Sequence, residues 1–270
     1  MKKILTLLFI TLTAIALVGC DHDDSKTVYE YENTTKTIFV YMPWTVNLTT
    51  PFDKNISSME NAINNNGSMK GTDVIVYKAS SSSQAVMFRM KYNITLRKCE
   101  LDTLDVNAGF SSITKESLTS LLNKVCLYSN TGSYSILVGC HGSGWTPKGS
   151  EFAKASRAFG GITPDMQYDL SDLSYAIANS AMKKVEFVSF DDCYMANVET
   201  AYELRDVTNY LVASTSEVMG YGFPYDTLFK YMLGTPDYDN ICQSFYNFYI
   251  NYNSPYGTLA AIKCGDAIKQ

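Results

Sequence analysis

The stretch VEFVSFDDCYMANVETAYEL, residues 185–204, contains the transition that decides the fold. Its apolar first half, which ends at Phe190, is typical of a strand buried on both faces, and its second half has the pattern of a helix. Between the two halves stand Asp191, Asp192 and Cys193. A packing cysteine gains little at this point, whereas a nucleophile gains the positive dipole end of a helix N-terminus directly after it. We therefore expect Cys193 to carry chemistry.

Strands that alternate with helical segments predict the fold class. Buried strands are expected at residues 37–42, 72–79, 134–140, 185–191, 210–215 and 258–264. Helical spacing of apolar residues occurs between them, at residues 52–66, 114–129 (with Thr114 as the N-cap), 169–184 and 236–253. This order predicts an α/β sandwich around a mainly parallel sheet, in one domain. The alternating run 82–99 predicts a small antiparallel excursion, and the polar, glycine-rich segment 146–167 predicts an exposed loop.

The first 20 residues have the composition of an export signal. A basic start is followed by an apolar stretch too short to span a membrane comfortably, and the segment ends in LVGC at Cys20. This ending resembles a bacterial lipobox, which implies cleavage before Cys20 and its lipidation; the alternative is an ordinary secretory signal with an incidental cysteine. Residues 21–36 are polar and acidic, as in a flexible tether, and residues 37–270 follow as the folded domain. We expect a lipid-anchored protein of the cell envelope, periplasmic or on the cell surface.

Composition limits the classes of function. The chain has 270 residues, of which 46% are hydrophobic, and this is enough for a sizeable core. A formal net charge of −5, without a dense basic patch, gives no support for a nucleic-acid partner. Six of the seven cysteines follow Cys20, none of them in the Cys-x-x-Cys spacing of a metal or redox site, so most are expected to be buried free thiols. A monomer is the default expectation.

His141 follows one predicted strand and Cys193 follows another. Ligands of open α/β sheets bind beyond the carboxyl ends of the strands, so these side chains meet if the two strands are neighbours. The chain has two histidines, and the other, His22, lies in the tether. An adjacent imidazole can take the proton of a thiol, and the N–H groups of Gly142 and Cys193 can point at a developing oxyanion. This pairing predicts a Cys-His hydrolase.

Each of these residues also has a simpler interpretation. A single cysteine at a strand end is more often a packing residue, and a single histidine in a glycine-rich loop such as HGSGW, residues 141–145, is more often a turn residue. The two together, each directly after a strand, favour catalysis. Trp145 and Tyr221 either wall the resulting cleft or belong to the core.

Three blocks of sequence resemble the clostripain-like cysteine peptidases. They are ILVGCHGSGW (136–145), FVSFDDCYMANVETAYEL (187–204) and VASTSEVMGYGFPYDTLF (212–229), and IFVYM (38–42) is similar to the family's first strand. The resemblance covers roughly residues 36–265. It implies a caspase-like α/β/α sandwich with a mainly parallel six-stranded sheet, and an endopeptidase that cuts after Arg or Lys through a Cys-His dyad at Cys193 and His141.

The resemblance also implies roles for neighbouring residues. The acidic residue that the family places two before its nucleophile matches Asp191, and a carboxylate in a pocket would select a cationic side chain. Asp192 is the competing residue, although strand alternation puts it on the opposite side from Cys193, and either aspartate can instead be a helix N-cap. Some members of the family cut themselves after a basic residue in the loop that follows the histidine. The candidates for self-cleavage here are Lys148, Lys154 and Arg157.

The sequence departs from the family's pattern at both ends. The first strand of the family continues with an Asp-Asn pair, whereas this chain has Pro43, Trp44 and Thr45. The family continues with further helix past the strand at 258–264, so a short C-terminal layer or a truncated form is expected. Some relatives use calcium, but the sequence shows no convincing ligand set. The alternative function is a catalytically silent binding or adhesion lipoprotein on the same fold.

Overall fold

The central sheet contains all six strands predicted from the sequence, together with two more. The computed structural model describes residues 28–30, 34–109, 112–129, 131–144, 159–253 and 255–269. The described residues form ten strands. They are β1 (Lys36–Met42), β2 (Thr72–Ala79), β3 (Ala85–Asn93), β4 (Lys98–Asp105), β5 (Tyr134–Gly139), β6 (Phe159–Thr163), β7 (Met166–Tyr168), β8 (Val185–Asp191), β9 (Thr208–Ala213) and β10 (Ala260–Lys263). Strands β6 and β7 make a separate two-stranded sheet. The central sheet has the strand order β10-β9-β8-β5-β1-β2-β3-β4.

Five neighbouring strands of this sheet, β9 to β2 in spatial order, run parallel. Their residues are buried almost without interruption, as expected for strands that are covered on both faces. Strands β10 and β3 pair antiparallel at the two flanks of this parallel block. The predicted α/β fold with a mainly parallel sheet is therefore confirmed.

The expected count of six strands is wrong because the antiparallel excursion joins the main sheet. Strand β3 pairs with β2 and β4 pairs with β3, so the hairpin extends the sheet to eight strands. The alternating pattern in this part of the chain places one face of β3 in the core, where helix α1 (Thr49–Asn66) packs against both strands of the hairpin. An alternating run predicts a strand but does not show which sheet the strand will join.

The remaining helices form two groups, one for each face of the sheet. They are α2 (Lys115–Tyr128), α3 (Leu170–Asn179), α4 (Val198–Leu204), α5 (Tyr225–Leu228), α6 (Tyr238–Ile250) and α7 (Asp266–Lys269). Helices α1, α5 and α6 pack together, and α2, α3, α4 and α7 form the other group. The four predicted helices correspond to α1, α2, α3 and α6, and the hydroxyl of Thr114 caps α2 by accepting from the N–H of Ser117 at 3.1 Å.

The expectation of an exposed loop at residues 146–167 is wrong for residues 159–167, the part that the structure describes. From Phe159 onward the chain forms the antiparallel pair β6 and β7, and most of β6 is buried. The cause is apolar packing: the ring of Phe159 lies 5.8 Å from that of Phe190 in β8 and 6.2 Å from that of Tyr168 in β7. Gly160 and Gly161, both with positive φ, form irregular β-structure rather than a solvated loop.

Several expectations concern features other than the sheet. The six cysteines within the described residues are all free thiols, of which Cys99, Cys140 and Cys264 are buried and the other three are partly exposed. No helix in the described part of the chain has the length and apolarity to cross a membrane. The described residues also contain no group of three or more His, Cys, Asp or Glu side chains arranged to hold a metal ion. Cys20 lies outside the described residues.

Candidate active site

The site lies where strands β5 and β8 end side by side. These strands are parallel neighbours, and Gly139 at the end of β5 pairs with Asp191 at the end of β8. The chain therefore emerges from both strands at the same sheet edge. His141, Asp191, Asp192 and Cys193 line one cavity of about 140 Å³ at this edge, and helix α1 and the segment after β9 form its other walls. The structure thus brings together four of the residues that the sequence singled out.

The two loops approach so closely that residue 142 must be glycine. A Cβ atom on Gly142 would lie 2.6 Å from the carbonyl oxygen of Cys193 and 2.7 Å from the Cβ of Asp192. The carboxylate of Asp192 also links the two loops. Its Oδ1 accepts a hydrogen bond from the N–H of Cys140 at 2.5 Å. Asp192 is thereby tied to the residue before His141, which positions the histidine loop against the cysteine loop.

Cys193 lies in a tight turn rather than at the start of a helix. Tyr194 adopts φ +61°, a left-handed conformation that is uncommon outside glycine, and its N–H donates to the carbonyl of Ser216 at 3.0 Å. Helix α4 begins only at Val198, where Asn197 is the N-cap and accepts from the N–H of Thr200 at 2.8 Å. The expectation of a helix N-terminus directly after Cys193 is therefore wrong, and Asn197 rather than an aspartate caps this helix.

Two side chains from the segment after β1 hold His141. Its Nε2 lies 3.0 Å from Oδ1 of Asn47, and the indole Nε1–H of Trp44 donates to the same oxygen at 2.8 Å. The Trp44 and His141 rings meet edge to face, with their centroids 4.9 Å apart. Because the Asn47 oxygen is an acceptor, Nε2 of His141 carries the proton and Nδ1 keeps its lone pair. Burial lowers the pKa of His141, so the imidazole is a neutral base.

The thiol of Cys193 contacts the backbone of Val218. The N–H of Val218 donates to Sγ at 3.3 Å, and Sγ lies 3.7 Å from the carbonyl oxygen of the same residue. The described residues show no hydrogen bond between the thiol and the imidazole of His141. Burial raises the pKa of Cys193, the Val218 N–H opposes this, and the carboxylates of Asp192, Glu217 and Asp191 raise the pKa further. The resting thiol is therefore neutral.

Asp191 forms a buried acidic wall of the cavity. One oxygen, Oδ2, accepts from the hydroxyl of Tyr225 at 2.8 Å, while Oδ1 is buried without a hydrogen-bond partner among the described residues. Burial raises the pKa of Asp191 to about 6, although the nearby Phe223 N–H dipole and the Tyr225 hydroxyl oppose the shift. Gly222 covers this carboxylate at φ +77°, where a Cβ atom would lie 2.7 Å from Oδ2. No Lys or Arg is found among the described residues that line the cavity.

Asp192 is even more strongly affected by its surroundings. Burial and the neighbouring carboxylate of Asp191 raise its pKa well above the usual range, although the Cys140 N–H opposes this. Its second oxygen, Oδ2, is buried without a partner among the described residues. Since the first oxygen is committed to the Cys140 backbone, Asp192 is better placed to hold the two loops together than to receive a ligand.

Other residues singled out by the sequence fall elsewhere. Trp145, Lys148, Lys154 and Arg157 lie outside the described residues. Tyr221 is 40% exposed and stacks on Phe248 of α6 at 4.8 Å, so it belongs to a surface wall and not to the core. Its two neighbours in sequence, both glycines, line the cavity.

Three further residues contribute to the site although no such role was predicted for them from the sequence, and they are Trp44, Asn47 and Val218. Trp44 lies where the chain departs from the family's Asp-Asn pair and Asn47 follows two residues after Thr45, so that departure was the available signal. Val218 lies within the third similar block, but it contacts Cys193 through its backbone N–H, and such a contact cannot be predicted from the identity of the residue. These residues reach the site because β1 and β9 flank β5 and β8 in the sheet.

The fold and the paired strand ends define a caspase-like α/β/α protein with histidine and cysteine at one sheet edge. The chain belongs to the clostripain family, whose family model matches residues 40–266. No curated protein matches it at a significant level.

Solved structures support the same assignment. The chain is 41% identical to a secreted C11 cysteine protease from Bacteroides thetaiotaomicron, called iotapain, with a TM-score of 0.76 over 86% of this chain and 66% of that one. A second secreted C11 cysteine protease from B. thetaiotaomicron, in complex with an irreversible peptide inhibitor, is 19% identical with a TM-score of 0.71, covering 85% of this chain and 66% of that one. An inactive zymogen C11 protease from Parabacteroides distasonis is 23% identical with a TM-score of 0.71, covering 86% and 62%. The last two likenesses show the fold alone, and this chain spans slightly less than two thirds of the length of each relative.

Proposed function

We propose that the protein is a cysteine endopeptidase that hydrolyses peptide bonds after Arg or Lys, with Cys193 and His141 as a catalytic dyad. The observation that carries the proposal is the composition of one cavity. It contains a thiol, an imidazole whose Nδ1 keeps its lone pair, and a buried carboxylate oxygen with no partner among the described residues. Family membership and the likeness to iotapain support the peptidase class.

The reaction proceeds by acyl transfer to sulfur. The thiol turns away from Val218, Nδ1 of His141 takes its proton, and the sulfur attacks the carbonyl carbon of the substrate. The N–H groups of Gly142 and Cys193 hold the oxyanion, and neither has a hydrogen-bond partner among the described residues. The C–N bond then breaks as His141 returns the proton to the leaving amine. A water molecule, deprotonated by the same imidazole, hydrolyses the thioester and regenerates the thiol.

Asp191 supplies the preference for a basic side chain. A buried carboxylate with an unpaired oxygen is costly unless a cation or a donor completes it. The guanidinium of Arg or the ammonium of Lys provides both the charge and the hydrogen bond. Binding of that cation also lowers the pKa of Asp191, so the ionised carboxylate and the substrate stabilise each other.

Self-activation is part of the proposal. The basic residues Lys148, Lys154 and Arg157 follow the histidine loop, where the family's precursors are cut. We expect the wild-type chain to appear as two fragments and the Cys193→Ala chain to remain intact. Fragments of the same masses from the Cys193→Ala chain would exclude cleavage by its own active site.

The proposed location is the bacterial cell envelope, outside the cytoplasm, either periplasmic or on the cell surface. The signal-like residues 1–20 and the lipobox at Cys20 support a lipid anchor, and two of the relatives are described as secreted. A monomer remains the default for the oligomeric state.

Hydrolysis of short fluorogenic peptides tests the proposal directly. Peptides with Arg, Lys, Asp or Leu before the scissile bond are incubated with soluble protein lacking residues 1–20 under reducing conditions. We expect cleavage after Arg or Lys that is lost in both Cys193→Ala and His141→Ala. Absence of turnover, together with no labelling of Cys193 by a cationic affinity label, would instead favour a silent binding or adhesion lipoprotein.

A further inference from the structure

A second concave surface lies beside the catalytic cavity and has no part in the dyad. It is a groove of about 340 Å³ between the C-terminal half of α6 and the chain that leads into β10. Its walls are apolar or aromatic and carry no charged side chain among the described residues; they are formed by Tyr246, Tyr249, Ile250, Pro255, Tyr256 and Gly257. Tyr246 is 58% exposed and Ile250 is 46% exposed, so both side chains present apolar surface to a ligand.

Two hydrogen bonds join this groove to the segment 217–222, part of which lines the catalytic cavity. The hydroxyl of Tyr249 donates to the carbonyl of Gly222 at 2.6 Å, and Gly222 lines the cavity. The hydroxyl of Tyr256 donates to the carboxylate of Glu217 at 3.4 Å, and Glu217 directly precedes the residue that contacts the Cys193 thiol. The groove therefore lies next to the segment that forms one wall of the catalytic cavity.

The order of the strands shows which part of a substrate would reach this groove. Along the sheet edge, His141 follows β5 and Cys193 follows β8, while the groove lies beyond β9 at the start of β10. His141 must reach the leaving amine, so the amine side of a bound peptide lies toward β5 and β1. The acyl side consequently lies toward β9 and β10, on the side of the groove.

We propose that this groove is an acyl-side subsite that binds an aromatic or branched aliphatic side chain of the substrate, two to four residues from the scissile bond. The inference rests on the proposed peptidase function and deepens it. Such a side chain loses its contact with water when it enters the groove, whereas a charged or small side chain gains nothing there. The substrate class is therefore a peptide with a basic residue at the cut and an apolar residue upstream of it.

A peptide series with fixed Arg before the scissile bond tests this subsite in the full chain. The second, third and fourth residues from the bond are varied in turn among Phe, Leu, Ser and Asp. We expect kcat/KM to be about tenfold higher for Phe or Leu than for Ser at one of these positions. The Tyr246→Ser/Ile250→Ser variant should reduce that ratio to about one.

A matched variant shows whether the effect belongs to the groove. Tyr202 and Leu127 are also exposed, at 51% and 85%, but lie on α4 and α2, the helices of the other face. Tyr202→Ser/Leu127→Ser should keep both the activity and the apolar preference. Equal rates for Phe, Leu and Ser at all three positions, or a preference that persists in the Tyr246→Ser/Ile250→Ser variant, would overturn the subsite.

A binding measurement separates this outcome from failure of the proposed function. If no Arg peptide is cleaved, fluorescence anisotropy of labelled, uncleaved peptides on the Cys193→Ala chain still reports the groove. Tighter binding of the Phe or Leu peptide than of the Ser peptide, lost with Tyr246→Ser/Ile250→Ser, supports the subsite without turnover. Equal affinities would reject it.

Discussion

The backbone N–H of Val218 donates a hydrogen bond to the sulfur of Cys193 over 3.3 Å, so the resting thiol is held by the segment after β9 and not by His141. Burial raises the pKa of Cys193, and nearby carboxylates such as Asp192 add to the effect. We therefore expect Cys193 of the free protein to react slowly with iodoacetamide at neutral pH. Its alkylation rate should increase on the alkaline side, with an apparent pKa above that of an ordinary cysteine.

Mass spectrometry of the alkylated peptide resolves Cys193 from the other thiols. Cys126 and Cys242 are also partly exposed and serve as internal controls in the same sample. An apparent pKa of Cys193 below neutrality would contradict the account, because it would indicate a preformed thiolate and imidazolium.

Asn47 acts by positioning His141, and its replacement should affect kcat more than KM. In Asn47→Ala, Nε2 of His141 loses its acceptor, so the ring can rotate or change tautomer, and we expect kcat to fall about 100-fold. In Asn47→Asp a carboxylate faces Nε2–H, which raises the pKa of His141 and moves the acidic limb of the kcat profile to higher pH. If Asn47 had a purely structural role, both variants would have a lower melting temperature, and the acidic limb of the kcat profile would stay at the same pH.

The pH dependence of substrate binding should report Asp191. Because the pKa of Asp191 is raised to about 6, the carboxyl group is protonated below that pH and loses the charge that attracts a cation. For an Arg peptide we expect KM to rise as pH falls through about 6. Tyr225→Phe removes a hydrogen bond to the carboxylate, raises the pKa of Asp191, and should move this rise in KM to higher pH. An unchanged profile in Tyr225→Phe would indicate that another group controls it.

The same carboxylate should lower the stability of the free protein. The folded-state pKa of Asp191 lies above its usual value of 3.8, so the ionised form destabilises the fold above pH 6, and the penalty disappears as pH falls toward 3.8. Asp191→Asn should increase the free energy of unfolding by about 2 kcal/mol at neutral pH. The gain should shrink on acidification, as measured by urea denaturation at several pH values. A loss of stability at neutral pH would contradict the assignment of an unpaired, ionised carboxylate.

The hydrophobic periodicity and the positions of the strand ends predicted the parallel strands and the place where the site forms. Apolar runs such as 134–140 and 185–191 form strands because both faces are covered, and the two strands are neighbours, which brings His141 beside Cys193. These features depend on local sequence and on a general property of parallel sheets.

Contacts between distant segments were beyond the reach of the sequence. Asn47 reaches His141 only because β1 is the neighbour of β5, and Val218 reaches Cys193 only because β9 is the neighbour of β8. From the sequence, Asp192 was an alternative to Asp191 as the substrate-binding residue. In the structure the two loops approach closely, and the Asp192 carboxylate accepts a hydrogen bond from the Cys140 N–H instead. The hairpin of β3 and β4 likewise joined the main sheet through packing with α1.

Comparison of two substrates that differ only in charge tests the central claim most directly. Arginine and citrulline have similar shapes, so a peptide pair with either residue before the scissile bond isolates the charge that Asp191 should recognise. The account predicts that wild-type protein cleaves the Arg peptide with a kcat/KM at least about 100-fold higher, that Asp191→Asn removes most of this difference, and that Cys193→Ala cleaves neither. Equal rates for the two peptides in wild-type protein, or an Arg preference that survives in Asp191→Asn, would contradict it.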